Sequence, residues 1–494
     1  MKKQPVKEPS LLISLTPVMV LVGLLFGAVY IFGSDTLSGG SQIVLLIAAA
    51  VCCAIAMLCY KVRWTAIEQS IVTSIAGVSP ALLLLLIIGA LAGSWMISGV
   101  VPTLIYYGIR IIHPSFYLVS TCIICSIVSV MTGSSWTTVA TIGIALLGIG
   151  QAQGFPPGWI AGAIISGAYF GDKVSPLSDT TILASSTTGT PLFVHIRYMM
   201  ITAVPAMLLT LVIFTAAGFM HEPAATGEIA LYAAALKETF TISPWLLVVP
   251  AVTGLLIIKK VPALVTLFLS AILAGALALI AQPHLLHEIA GAEQPAGMIA
   301  KCRGLLITLY GSTGVHTGNA TLDSLVATSG MAGMLHTVWI IICAMAFAGA
   351  MTASGMLRSI TAAFMRRIKR TAGMVGASVG SGIFLNTVAA DQYIALILMG
   401  SMFRDIYREK GYESRLLSRT IEDAVTVTSP LVPWNTCGMT QSTMLGISTF
   451  AYLPYCFFNL ITPVISILIA ALGYKICKIK PGDPEPPAAG TPEL

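Results

Sequence analysis

Apolar runs long enough to cross a bilayer follow one another along almost the whole chain. A first run covers residues 11–32 and a second 42–60; an amphipathic connector then leads to a third at 80–101. A short linking helix carries Arg110 and His113. The stretches 114–150 and 159–190 are apolar at both ends and polar in the middle, and 193–219 is again an unbroken span. Spans at 244–258 and 261–281 lead into a polar, glycine-rich segment, 282–330, which reads as an external insertion with short helices. Further on, 372–403 and 417–445 are interrupted just as 114–150 and 159–190 are, and a last span covers 450–474.

The interruptions matter most, because lipid offers a broken backbone no hydrogen-bond partners. One of them reads Gly171-Asp172-Lys173-Val174-Ser175-Pro176-Leu177-Ser178-Asp179-Thr180-Thr181. Pro176 lacks an N–H, so carbonyls a turn earlier are left free. The other three are Thr132-Gly133-Ser134-Ser135, Asn386-Thr387-Val388-Ala389-Ala390-Asp391 and the segment 422–436. Carboxylates, hydroxyls and free carbonyls at membrane depth make a site for a hard cation or a proton.

Composition agrees with a membrane protein. Of 494 residues 56% are hydrophobic and only 9% charged, against about 25% charged in soluble domains. The net charge of +6 is assigned to loops and does not suggest nucleic acid. The N-terminus has no small-residue cleavage site, so residues 11–32 read as a signal anchor. Most of the ten cysteines lie in apolar runs, with no disulfide framework, and Cys122 and Cys125 read as packing residues. His284 and His287 have metal-like spacing but read as a solvated face, and no chemistry is assigned to Lys301, Arg303, His316 or Asp323. No phosphate-binding Walker motif is present, which disfavours ATP-driven transport. The expectation is a transporter rather than an enzyme, with no cofactor.

The chain also repeats itself. Ile75-Ala76-Gly77-Val78 resembles Met331-Ala332-Gly333-Met334, and Leu91-Ala92-Gly93 resembles Phe347-Ala348-Gly349, both offset by 256 residues. Ser175-Pro176-Leu177 returns as Ser429-Pro430-Leu431, offset by 254. Basic residues then orient the halves. Lys2, Lys3, Lys7, Lys61 and Arg63 flank the first two spans, Lys259-Lys260 join the spans at 244–281, and Arg366, Arg367, Lys369 and Arg370 end the helix matching 80–101. By the positive-inside rule the halves are inverted. The expected fold is an all-α polytopic membrane protein of two inverted repeats, each with a re-entrant hairpin and an interrupted transmembrane helix, the architecture of secondary transporters. Its parts are a cytoplasmic N-terminus 1–10, a first repeat 11–219, an external loop 220–243, two spans 244–281, the insertion 282–330, the rest of the second repeat 331–475, and a disordered cytoplasmic tail 476–494.

The four breaks are expected to meet at the bilayer centre. They offer Asp172, Asp179, Asp391, Glu422 and Asp423 as carboxylates, with Ser134, Ser135, Thr137, Ser175, Thr180, Asn386, Thr387, Thr428, Ser429, Asn435 and Thr436 beside them. Removal from water favours the neutral carboxyl, so one site can hold a proton or a sodium ion but not both. Asp172 and Asp179 are the first candidates for proton and sodium exchange. Each group has a plainer reading. Asp172 pairs with Lys173; Asp179 and Asp391 cap helices; Glu422 and Asp423, close after Arg419, belong to a cytoplasmic charged face; His195 and Arg197 mark the membrane boundary; Trp136 and Trp434 pack the breaks. A gated sodium pore would keep the same spans but not need paired breaks, and a sensor or scaffold would not need five carboxylates.

The stretch 171–181, Thr132-Gly133-Ser134-Ser135-Trp136-Thr137 and Ser429-Pro430-Leu431-Val432-Pro433-Trp434-Asn435-Thr436-Cys437-Gly438 together resemble the signature of the NhaC-type sodium/proton antiporters. The resemblance covers roughly residues 10–475. It implies the architecture of the ion transporter superfamily, with a scaffold, a mobile transport domain and often a homodimer. It implies Na+ and H+ as cargo in a bacterial inner membrane, with both termini cytoplasmic. It also admits exchange of a small organic anion, as in malate/lactate antiporters. No membrane-embedded arginine that would clamp a carboxylate is evident, which favours cation/proton exchange.

Overall fold

The computed structural model describes residues 9–32, 39–221, 226–291, 297–365 and 370–479. The N-terminal lysines, Arg366, Arg367, Lys369 and the proline-rich tail from 480 onward lie outside the described residues. Among the described residues the secondary structure is helical, with one isolated bridge between Tyr412 and Lys478. Seven of these helices are long and apolar enough to cross a membrane, or up to nine if two bent pairs each count as one span. The chain is a multi-pass membrane protein.

The first two spans are the helices Leu11–Phe32 and Gly40–Tyr60. The connector and third span are not separate elements, as expected, but one 34-residue helix, Trp64–Ile97. Pro80 lies inside it and removes one rung of the ladder. The freed Ala76 carbonyl is taken by the Ser79 hydroxyl at 2.9 Å, so the helix runs on. It ends at Gly99, whose φ of 85° turns the chain into Val100–Ile111. The acidic loop after Leu192–Met220 contains a further helix, Thr226–Thr239. Within 282–330 the helix Met298–Tyr310 packs along Trp64–Ile97, where Gly93 faces the Thr308 carbonyl. That segment is therefore partly built into the body.

The helices fall into two packing groups. Trp64–Ile97, Ala263–Ala281, Gly40–Tyr60 and Leu335–Ala353 pack on one another. The second group holds the interrupted elements. A first hairpin joins Tyr117–Thr132 to residues 135–152, and a first broken helix joins Pro157–Val174 to Asp179–Thr188. A second hairpin joins Thr371–Val388 to Gln392–Glu409. A second broken helix runs from Ser414–Ile421 through a π-helical turn, Glu422–Thr426, to Thr436–Leu445. Leu192–Met220 packs on Phe457–Ala471 and closes this group.

Small residues set the tightest contact. Gly167 and Gly171, four apart on Pro157–Val174, lie against the backbone of Cys122 and Ser126 on Tyr117–Thr132. Ser129 donates to the Ala168 carbonyl at 2.6 Å across the same seam. This is small-residue packing of membrane helices, and it brings the hairpin tip level with the first break.

Candidate functional site

Both hairpins turn in the same local way. Gly133 (φ 66°) ends the first arm, and Ser134 then caps the next helix by accepting from the Thr137 N–H at 3.2 Å. In the second hairpin, 257 residues later, Ala390 (φ 53°) takes the left-handed turn and Asp391 caps by accepting from the Ile394 N–H at 2.9 Å. An alanine in that conformation is strained; a glycine is not.

The first tip is locked onto the first break. Asp172 Oδ2 accepts from the Ser135 N–H at 3.1 Å and its hydroxyl at 2.7 Å, and Oδ1 accepts from Ser178 Oγ at 2.5 Å. Ser175 donates to the Val130 carbonyl at 2.7 Å, tying the break to the outer arm. A Cβ on Gly133 would meet the Leu177 backbone at 2.6 Å. Asp172 therefore does not pair with Lys173; successive residues of a helix point about 100° apart. Asp179 opens the helix Asp179–Thr188 but makes no cap hydrogen bond, and it is exposed.

The second tip and second break close on each other mainly through amide, hydroxyl and backbone groups. The Asn386 amide donates to the Val425 carbonyl at 2.7 Å and to Thr428 Oγ1 at 2.9 Å. Asn435 donates to the Asn386 carbonyl at 3.0 Å and accepts the Cys437 N–H at 3.0 Å. Trp434 Nε1 donates to the Thr387 carbonyl at 2.7 Å, so this tryptophan packs the break. Thr436 donates its N–H to the Ala390 carbonyl and its hydroxyl to Asp391 Oδ2. Ser429 donates to Gln392 Oε1 at 3.2 Å. The Thr387 hydroxyl turns back to the Ile383 carbonyl and faces away from the breaks.

Between the halves lies a buried group of charges. The Lys173 ammonium pairs with Asp423 Oδ1, which also accepts from Thr202 Oγ1 at 2.9 Å. Arg419 Nε is 3.8 Å from Asp423 Oδ2, and the guanidinium lies over the Tyr198 ring at 4.7 Å. Lys173, Arg419, Glu422 and Asp423 are all at 0% exposure. Glu422 and Asp423 are thus no part of a solvated charged face. The same holds for His195, which is buried and meets Ser418 Oγ at 2.8 Å, whereas Arg197 is exposed. Neither Glu422 oxygen and none of the Arg419 nitrogens makes a well-formed hydrogen bond.

A cavity of about 780 Å³ reaches the first tip from the turn at Lys260-Val261-Pro262. Thr132, Ser134, Trp136, Thr137, Asp172, Ser178, Asp179 and Thr180 line it on one side, and Gly77, Pro80 and Leu84 on the other. It thus lies between the two packing groups. From the second hairpin and second broken helix only Gln392 and Tyr393 reach it, while Asn386, Asp391, Ser429, Asn435 and Thr436 do not. Among the described residues no three His, Cys, Asp or Glu side chains are disposed to hold a metal ion.

Five residues escaped sequence reasoning: Ser178, Thr202, Gln392, Tyr393 and, above all, Arg419. Arg419 overturns the expectation that no arginine is embedded beside the breaks, for it is fully buried four residues before Asp423, the spacing of an ion pair on one helix face. That spacing was the available signal, but the basic run before it reads as a surface.

Residues 167–474 match the Na+/H+ antiporter family. The chain is 35% identical to the Na(+)/H(+) antiporter NhaC of Bacillus subtilis over 417 residues, 84% of this chain and 88% of that one. It is also 35% identical to the malate-2H(+)/Na(+)-lactate antiporter of the same organism over 410 residues, 82% and 84% of the two chains. The arginine/ornithine antiporter ArcD of Halobacterium salinarum is 30% identical over 491 residues, 99% of this chain and 97% of that one.

Proposed function

This chain belongs to the Na+/H+ antiporter family, and on that premise we propose that it exports sodium in exchange for protons by alternating access across a bacterial inner membrane. One observation supports the reading most directly. Asp172 is held on the cavity wall by the tip of the first hairpin, with Asp179 on the same wall and hydroxyls of Ser134, Thr137 and Thr180 around them. Carboxylate and hydroxyl oxygens suit a hard monovalent cation.

In this reading Asp172 and Asp179 take sodium. Ser134, Thr137 and Thr180 complete its shell, and Ser135 and Ser175 hold the first break in place. The second-half residues Asn386, Thr387, Asp391, Ser429, Asn435 and Thr436 act as the frame the first half works against. The two halves stand in inverted orientation, with both termini cytoplasmic, and the cavity opens toward the cytoplasm at Lys260.

A second reading is exchange of a small organic ion, favoured by the cavity's volume. Its wall carries two carboxylates near the tip, and Lys260 is its single base, so a cationic cargo fits better than a dicarboxylate. Purified protein in liposomes with a trapped pH dye separates these. Sodium added outside should exchange for internal protons and alkalinise the lumen. If proton flux requires an organic acid or arginine as well, the simple exchanger is wrong. Asp172→Asn should abolish the sodium response; full exchange in that variant removes Asp172 from the site.

A further inference from the structure

The four carboxyl groups buried near the breaks differ in how their oxygens are used. Asp172 accepts three hydrogen bonds, Asp391 accepts from Ile394 and Thr436, and Asp423 holds Lys173 and Thr202. Glu422 is fully buried, neither of its oxygens makes a well-formed hydrogen bond, and its side-chain partner is Thr426 on the same turn. It starts the π-helical turn Glu422–Thr426, an irregularity often found at working sites. It does not line the cavity, yet Asp172, which does, is near enough to act on it electrostatically, as are Lys173 and Asp423.

We propose that Glu422 carries the exchanged proton, at a site behind the cation site, and that Lys173 joins the two. The proposal rests on the sodium/proton reading above. The elements packed against this turn bring the following titratable groups. Pro157–Val174 brings Asp172, Lys173 and Tyr169; Asp179–Thr188 brings Asp179; Leu192–Met220 brings His195, Arg197 and Tyr198; its own helix brings Arg415, Arg419 and Asp423. Gln392–Glu409 brings Tyr393, Arg404, Asp405, Tyr407, Arg408 and Glu409, while Thr371–Val388 and Phe457–Ala471 bring none.

When Glu422 loses its proton, the O–H bond breaks, a water admitted as the breaks part during alternating access takes the proton, and a carboxylate remains. Lys173 is the cation that acts on Glu422, because Arg419 is held over the Tyr198 ring. A Lys173 drawn toward Glu422 loosens Asp423 and shifts the end of Pro157–Val174, where Asp172 sits one residue away. A sodium ion at Asp172 adds positive charge beside the same lysine and favours proton release. The two ions thereby exclude each other without sharing a ligand.

Full-length protein in liposomes tests this with two signals, 22Na counterflow at equal pH and sodium-driven proton flux. If the wild type shows no sodium-driven proton flux, the sodium/proton reading fails before Glu422 is tested. Given that flux, Glu422→Gln should keep counterflow within about 3-fold and lose proton flux by about 20-fold or more. Glu422→Asp should keep both and move the pH midpoint of exchange by about 0.5 unit or more. Proton flux above about half the wild-type rate in Glu422→Gln overturns the proposal. If Glu422→Gln loses both signals, Glu422→Asp decides, and an unshifted midpoint in that variant overturns it.

Discussion

The first and second breaks use nearly the same turn chemistry to opposite ends. Each hairpin reverses through a left-handed residue followed by a side-chain cap, Gly133 with Ser134 in one and Ala390 with Asp391 in the other. Each broken helix carries the triplet Ser-Pro-Leu. In the first half the tip grips Asp172 and leaves Asp179 on an open cavity wall. In the second half the acid is spent as a cap, and two asparagines seal the break with amide bonds. On the proposed reading, similar turns carry ion chemistry at the first break and rigid support at the second. The difference lies in which side chains fill equivalent backbone positions.

That contrast can be broken most severely at the link between the halves. Lys173→Met leaves Asp423 buried without its partner and should cost about 3–5 kcal/mol, read as early thermal aggregation of the solubilised protein. Lys173→Met with Asp423→Leu should recover only part of that loss, because Arg419, 3.8 Å from Asp423, is then left buried without a counter-charge; full recovery would show that Arg419 does not depend on Asp423. Gly133→Ala adds left-handed strain and pushes on the Leu177 backbone, together about 2–4 kcal/mol. It should also weaken sodium half-saturation, because the tip that holds Asp172 is displaced. Asn435→Ala removes a cap and a buried amide and should cost about 1–3 kcal/mol. Its sodium half-saturation should stay near wild type; a large shift would place the second break in the cation site. The mildest test is Ala390→Gly, which relieves the left-handed alanine and should stabilise by about 1 kcal/mol.

The spans were legible because apolar length alone marks them, as Gly40–Tyr60 shows. The breaks were legible because Asp172, Pro176 and Asp391 stand where lipid tolerates no exposed polar backbone. Trp64–Ile97 was misread as two elements, since Pro80 signals a helix end and the Ser79 hydroxyl that rescues it acts only in three dimensions. The roles inside the site were harder still. Lys173 looked like the neighbour of Asp172, but its partner lies 250 residues away. The Glu422 oxygens and the Arg419 guanidinium look like ordinary surface charges in a run of letters. Only packing shows that they are buried.

The pair of Lys173 with Asp423 also constrains how the protein is made. The first broken helix must enter the membrane with its lysine before the aspartate that neutralises it exists. At roughly 5–20 residues per second of synthesis, the 250 intervening residues take about 12–50 s to emerge. For that interval the nascent first half holds an unmatched positive charge at membrane depth. It must shelter that charge in water, in the headgroups or in the insertion machinery, so the N-terminal half synthesised alone is a substrate for quality control rather than a stable half-transporter.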